Sequence, residues 1–226
     1  MLTILHGDHQ LQSRNALYAA LERAKTQGRE ITRIEAKQLE PGSLFTMAGA
    51  QSLFGESAVI VINELHSLPK SKKKEALIEE VAQAAAHQLI LWEKKQLSAT
   101  ELKHFAGAQV QLFQPARVMF TWLGSVTGQP NTALKSKNLS LLKQAIETDG
   151  EQFCFAMLVR QVRLLMDAKA EHSSTSSPKL LSQAEQLSWP QLFWLHKQLL
   201  LIDEKQKNSD TPFNLSGQLE LLIVEL

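Results

Sequence analysis

The sequence predicts an α/β domain with a mostly parallel sheet, followed by an all-helical domain. Three observations predict it. Short apolar runs, one of them strongly β-branched, alternate with helix-period segments up to about residue 113. From about Pro115 onward no convincing strand pattern appears. Helix-period apolar stripes then follow one another to the end of the chain.

Each element has its own warrant. Leu2 to Leu5 is a strand candidate closed by His6-Gly7-Asp8, with Asp8 placed to cap the next helix by accepting from free backbone N–H groups. That helix carries Leu17, Ala20, Leu21 and Ala24 at helical spacing and stops near Gly28. Ile31 to Ile34 alternates with Thr32 and Arg33 and reads as a half-exposed strand. Pro41-Gly42 is a turn signal, and a short helical stretch runs from Ser43 to a break near Gly55. Ala58 to Ile62 is continuous and β-branched, which suits a central strand buried on both faces. Ser71 to Ala86 is helical, with Ala76, Leu77, Val81 and Ala84 on one side. Gln88 to Trp92 is a strand, Ser98 to Phe105 a short helix capped by Ser98, and Val110 to Phe113 a last short strand.

The second half reads as helices over Ala133–Thr148, Glu151–Lys169, Lys179–Leu187, Gln191–Glu204 and Leu215–Val224. Phe155, Leu158, Val162 and Leu165 lie at three- and four-residue steps, which suits either an ordinary helical core or a patch for a partner. Ser173 to Ser177 is a polar loop. The expected domains are 1–114 and 115–226.

Composition narrows the function. The chain has 226 residues and a formal net charge of +1, which argues against coating nucleic acid through a whole-surface field. Cys154 is the only cysteine, so neither a disulfide framework nor a cysteine-based zinc site can be built. It lies beside Phe153 and Phe155 and reads as a small core residue. The composition suits a reducing compartment, and the expected location is cytoplasmic. No apolar run approaches the roughly 20 residues of a membrane-spanning helix, and the N-terminus lacks the charge-then-apolar order of a signal peptide.

A parallel α/β domain raises the question of nucleotide binding. A phosphate loop needs glycines whose backbone N–H groups reach the ligand, and a lysine in the Walker type. After the first strand this chain has one glycine and Asp8, with no Gly-Lys-Ser/Thr, and Asn63-Glu64 stands where an acidic pair for magnesium would follow the third strand. No cofactor is expected. His6, His9, His66, His87, His104, His172 and His196 form no His-Glu-x-x-His pattern, so they are expected to be surface or loop histidines with no metal. No catalytic residue is assigned.

Two features point to binding. Lys70, Lys72, Lys73 and Lys74 form a basic run at a helix start, which is either a solvated face or a contact to DNA phosphates. Gln51-Ser52-Leu53-Phe54-Gly55 places two large apolar residues at the end of a short helix. Either both pack inward, or they project into a partner's pocket. Adjacent helical positions face about 100° apart, so a single core stripe favours one over both. Burying each contributes about 1.5–3 kcal/mol, short together of the roughly 8 kcal/mol of micromolar binding. They suit hot spots of a larger interface.

In their order these residues resemble the delta subunit of the bacterial DNA polymerase III clamp loader. Thr3-Ile4-Leu5-His6-Gly7-Asp8, continued by Ser13-Arg14 and Ala16-Leu17, resembles that family's first strand and degenerate, non-hydrolysing loop. Ser52-Leu53-Phe54-Gly55 before the strand Val59–Ile62 resembles its clamp-binding element. Ser71 to Lys74 and Trp92-Glu93-Lys94 fit the next helix and strand. Met157-Leu158, Arg160-Gln161, Arg163 and Leu165 resemble its collar domain, as do Leu201-Ile202-Asp203 and Lys207. The resemblance implies a degenerate P-loop-NTPase-like first domain that binds the sliding clamp through Gln51, Ser52, Leu53 and Phe54. It also implies a helical collar that contacts other loader subunits. One departure stands out: Phe113-Gln114-Pro115 runs almost directly into Phe120 and Trp122-Leu123, so the family's small lid domain is missing. Two other classes stay open, a scaffold that no longer binds the clamp and a nucleotide-dependent enzyme with an unfamiliar loop.

Overall fold

The computed structural model describes residues 1–44, 46, 47, 58–84, 88–171 and 177–226. The chain forms two compact units, Met1–Pro115 and Ala116–Leu226.

The first unit is built on strands β1 (Leu2–His6), β2 (Ile31–Glu35), β3 (Val59–Asn63), β4 (Gln88–Glu93) and β5 (Gln109–Leu112). They lie in the order β2-β3-β4-β1-β5, and every neighbouring pair is parallel. The parallel α/β expectation holds, and the reason is crossover geometry: α1 (Gln10–Thr26), α2 (Lys72–Gln83) and α3 (Ala99–Leu102) return the chain to the same end of the sheet. β3 sits between β2 and β4 with Val59 to Ile62 all buried, which accounts for its unbroken apolar run. Val59, Val61, Ile90 and Trp92 pack under Leu17, Leu21 and Ala24 of α1. Ile60, Ile62, Leu89 and Leu91 pack on the opposite face with Leu77 and Val81 of α2. Each such side chain contributes about 1.5–3 kcal/mol of burial. β5 is an exposed edge, with Val110 and Leu112 both partly in solvent.

The second unit is helical throughout its described residues: α4 (Arg117–Leu123), α5 (Thr132–Asp149), α6 (Glu151–Glu171), α7 (Pro178–Glu185), α8 (Trp189–Asn208) and α9 (Leu215–Glu225). Cys154, Leu158, Val162 and Leu165 of α6 are fully buried against Leu192, Leu195 and Leu199 of α8. Trp122 is buried too, and its indole N–H donates to Asn138 Oδ1 at 3.1 Å, while Asn138 Nδ2 donates to Ser125 Oγ at 2.9 Å. A buried indole is tolerated because that donor is satisfied. Asp149 accepts the N–H of Ala116 through both oxygens, at 2.9 and 3.2 Å, and so holds the start of α4. A Ser188–Gln191 capping box opens α8.

Three expectations are corrected. The cap of α1 is His9, whose Nδ1 accepts from Gln12 N, and not Asp8. The histidines at the sheet's end are not surface residues: His6 and His9 are buried, and the His66 side chain is nearly so. Their rings fill the space above the strand ends instead of facing water. Residues 117–123 form a helix too short to show periodicity, and α8 starts two residues earlier and ends four later than its stripe suggests.

Candidate functional site

In an open parallel sheet, ligands bind beyond the carboxyl ends of the strands. Here the turn after β1 occupies that position. Gly7 adopts φ of +133°, and a Cβ there would run into the backbone of Phe113, so only glycine fits. The turn's backbone donors are engaged by the protein: Gly7 N donates to Lys95 O at 3.2 Å and His9 N to Phe113 O at 3.1 Å. Ser13 N donates to His9 O, and Gln12 N to the His9 ring. A phosphate loop presents such N–H groups to its ligand; here Gly7 and His9 donate to carbonyls just past the ends of β4 and β5.

A buried polar cluster lies next to the turn. His6 and Glu93 end β1 and β4 and are partners in register. Glu93 Oε1 accepts from the backbone N of His66 at 2.8 Å and lies 3.0 Å from His66 Nδ1. His6 Nδ1 accepts from Leu97 N at 3.0 Å, which puts the proton of the neutral ring on Nε2. That Nε2 and the Nε2 of His66 are buried with no hydrogen-bond partner among the described residues. Burial lowers the His6 pKa below the ordinary histidine value, Glu93 opposes this, and His66 adds to it. Among the described residues no group of three His, Cys, Asp or Glu side chains is arranged to hold a metal ion. Glu93 was hidden in the sequence as the last residue of an apolar strand, and that position of an acid was its signal.

The lysine run divides. Lys73 pairs with Glu40 at 2.6 Å. Lys74 donates to the carbonyls of His66 and Leu68 at 2.6 and 3.0 Å, closing the loop that leads into α2. Lys70 and Lys72 are exposed. Gln51, Ser52, Leu53 and Phe54 lie outside the described residues, as does the Gly55 break. The chain that leads toward them is anchored: Glu80 of α2, itself buried, accepts from Gly42 N at 3.0 Å and from Leu44 N at 2.8 Å.

In the helical unit, Phe155, Val159, His196 and Leu200 line a groove of about 380 Å³ between α6 and α8, with Arg163 and Asp203 on its rim. The buried stripe of α8 is Leu192, Leu195, Leu199 and Ile202. Its outer side is also apolar, with Phe193 and Leu200 exposed and Trp189 stacked on Phe193 at 5.5 Å. Cys154 belongs to the core, where burial, aided by Asp149, pushes its thiol up to about 12. No described helix is long and apolar enough to cross a membrane.

No family model matches the sequence, and no curated protein matches it. Among solved structures, the chain is similar to the DNA clamp loader delta protein of Bacillus subtilis, at 12% identity over 99% of this chain and 94% of that one, with a TM-score of 0.47. It is also similar to a chain in the structure of Drosophila ORC bound to poly(dA/dT) DNA and Cdc6, at 10% identity over 89% of this chain, with a TM-score of 0.35. It spans 46% of that second chain.

Proposed function

We propose that this protein is a clamp-loader delta-like subunit that binds the DNA polymerase sliding clamp and helps open its ring without hydrolysing ATP. The observation that carries the reading is the turn after β1. It stands where a phosphate loop would stand, and its N–H donors are committed to Lys95 O and Phe113 O. A turn built that way favours a binding role over nucleotide chemistry. The ordered sequence motifs supply the clamp as the partner. In this reading Leu53 and Phe54, flanked by Gln51 and Ser52, enter the clamp, and Glu80 holds the preceding turn against α2. Opening the ring requires tighter binding to the open clamp than to the closed one. The groove between α6 and α8 and the outer side of α8 receive other loader subunits. Lys70 and Lys72, with Lys73 and Lys74 behind them, add a weak contact to DNA phosphates, and the protein acts in the cytoplasm.

A pull-down with the cognate sliding clamp tests this. Wild type is expected to retain the clamp, and Leu53→Ala/Phe54→Ala to lose it while circular dichroism stays unchanged. Equal retention by both overturns the site. Failure of wild type to bind overturns the clamp reading and leaves a scaffold.

A further inference from the structure

On the face of the sheet that α1 covers, two arginines share a small pocket. Arg14 and Tyr18 stand one turn apart on α1 and so face the same way. Arg33 comes from β2, Asn63 from the end of β3, and Trp92 from β4. These residues line one cavity of about 190 Å³ at the carboxyl ends of the strands. The Arg14 guanidinium lies over the Trp92 ring at 5.1 Å from its centroid, and that of Arg33 over Tyr18 at 5.5 Å. Stacking fixes a guanidinium's plane and leaves its N–H edge open for an anion. Among the described residues neither guanidinium meets a carboxylate. The pocket also holds two acids: Glu64 pairs with Lys94 at 2.7 Å, while Glu35 accepts from the neutral Asn63 amide at 2.9 Å and keeps its charge, so the two arginines outweigh one carboxylate in the pocket.

Asn63 supplies a second, independent observation. Its bond to Glu35 fixes the amide's orientation. Its Oδ1 is buried and has no hydrogen-bond donor among the described residues. A buried acceptor left alone costs about 1–3 kcal/mol, and a ligand that brings a donor into the pocket would satisfy it. Anion-accepting edges and an orphan acceptor together call for a group that carries negative charge and an N–H or O–H. The size narrows it further. A cavity that encloses a small molecule spans about 300–1,000 Å³, and this one is smaller. It takes one phosphate and the edge of a nucleotide whose remainder continues outside. There Tyr18, half exposed, offers a ring on which a base stacks. Trp92 serves as the floor: it is buried, and its indole N–H is spent on Ser13 Oγ at 3.2 Å.

We propose that Arg14, Arg33, Tyr18 and Asn63 form a binding site for a single strand of nucleic acid, with a backbone phosphate between the two guanidiniums. The site uses none of the residues assigned to the clamp, so clamp retention in a pull-down and strand binding fail separately.

The test is fluorescence anisotropy of the full chain with a labelled oligothymidylate of about 20 nucleotides, titrated at several salt concentrations. Arg14→Met and Arg33→Met keep the side-chain stem and remove the charge. Each is expected to weaken binding about tenfold, as loss of one charged hydrogen bond does. The double variant is expected to lower the slope of log K against log salt by about 0.7, the value for loss of one phosphate contact on a single strand. Arg160→Met, an equal loss of charge in the helical unit, is expected to change neither. A 5-iodouracil oligonucleotide is expected to photocrosslink to α1. The proposal is overturned if wild type does not bind the oligonucleotide, or if the arginine variants bind as wild type does. It is equally overturned if inorganic phosphate or thymidine monophosphate competes as well as the strand, since that marks a small-anion site. Loss confined to Lys70→Gln/Lys72→Gln would move the contact to the start of α2 and overturn it too.

Discussion

The carboxylate of Glu80 accepts the backbone N–H of Leu44 at 2.8 Å across 36 positions of sequence, and its other oxygen accepts from Gly42. One buried acid on α2 thus fixes the turn at Pro41-Gly42. Glu80→Ala strips the acceptor from two N–H groups at once. Leu44 is buried, so its unsatisfied N–H costs about 1–3 kcal/mol, whereas exposed Gly42 turns its N–H to water; the variant is expected to lose about 1–3 kcal/mol in urea denaturation. Glu80→Gln keeps one acceptor oxygen and is expected to lose roughly half as much.

Histidine 6 makes stability sensitive to acid. Its folded pKa lies below the ordinary 6.5, mainly through burial. Between that lowered value and 6.5 the unfolded chain binds the proton and the folded one does not, so stability rises with pH through this window. The His6 contribution is complete above about pH 6.5 and is lost progressively as pH falls below it. Thermal melts of wild type and His6→Asn from pH 7.5 downward are the measurement. The wild-type curve is expected to fall more steeply, because Asn keeps an acceptor for Leu97 N–H and cannot titrate.

Cys154 is expected to be inert in the native protein. With its thiol pushed up to about 12, roughly one molecule in ten thousand carries a thiolate at pH 8, and the sulfur is buried. A disulfide-exchange reagent such as Ellman's should release no colour within minutes from the folded chain and one equivalent in denaturant. A rapid native reaction would contradict the core placement.

Gly7→Ala tests the turn after β1. The substitution puts a Cβ into the Phe113 backbone at a φ that L residues rarely adopt. A loss of about 2–3 kcal/mol is expected. Gly28→Ala has a positive φ and open space around it, so it is expected to cost less.

The central strand was legible because Val59 to Ile62 are covered on both faces, and a run with that duty contains no polar interruption. The stripe Leu158, Val162 and Leu165 was legible because one helix face meets one core. The His9 cap was not, since Asp8 is chemically the better acceptor and only the tertiary bond from His9 N to Phe113 O selects the next residue. Nor was the pairing of Arg14 with Trp92, or of Glu80 with Gly42, because both join residues brought together only by the sheet order. In the lysine run the sequence shows four equal charges. The fold commits Lys73 to Glu40 and Lys74 to two carbonyls, a distinction that composition does not carry. The segment at Gln51 to Phe54 remains a reading of its motif.

The turn after β1 has a regulatory consequence. A ligand changes a protein's state only through unequal affinity for two states. To grip a phosphate, this turn would first have to give up the bonds from Gly7 and His9, at about 0.5–1.5 kcal/mol for each. In the proposed loader, a subunit built this way would supply a fixed reference against which nucleotide-cycling members move, and the timing of the cycle would belong to them.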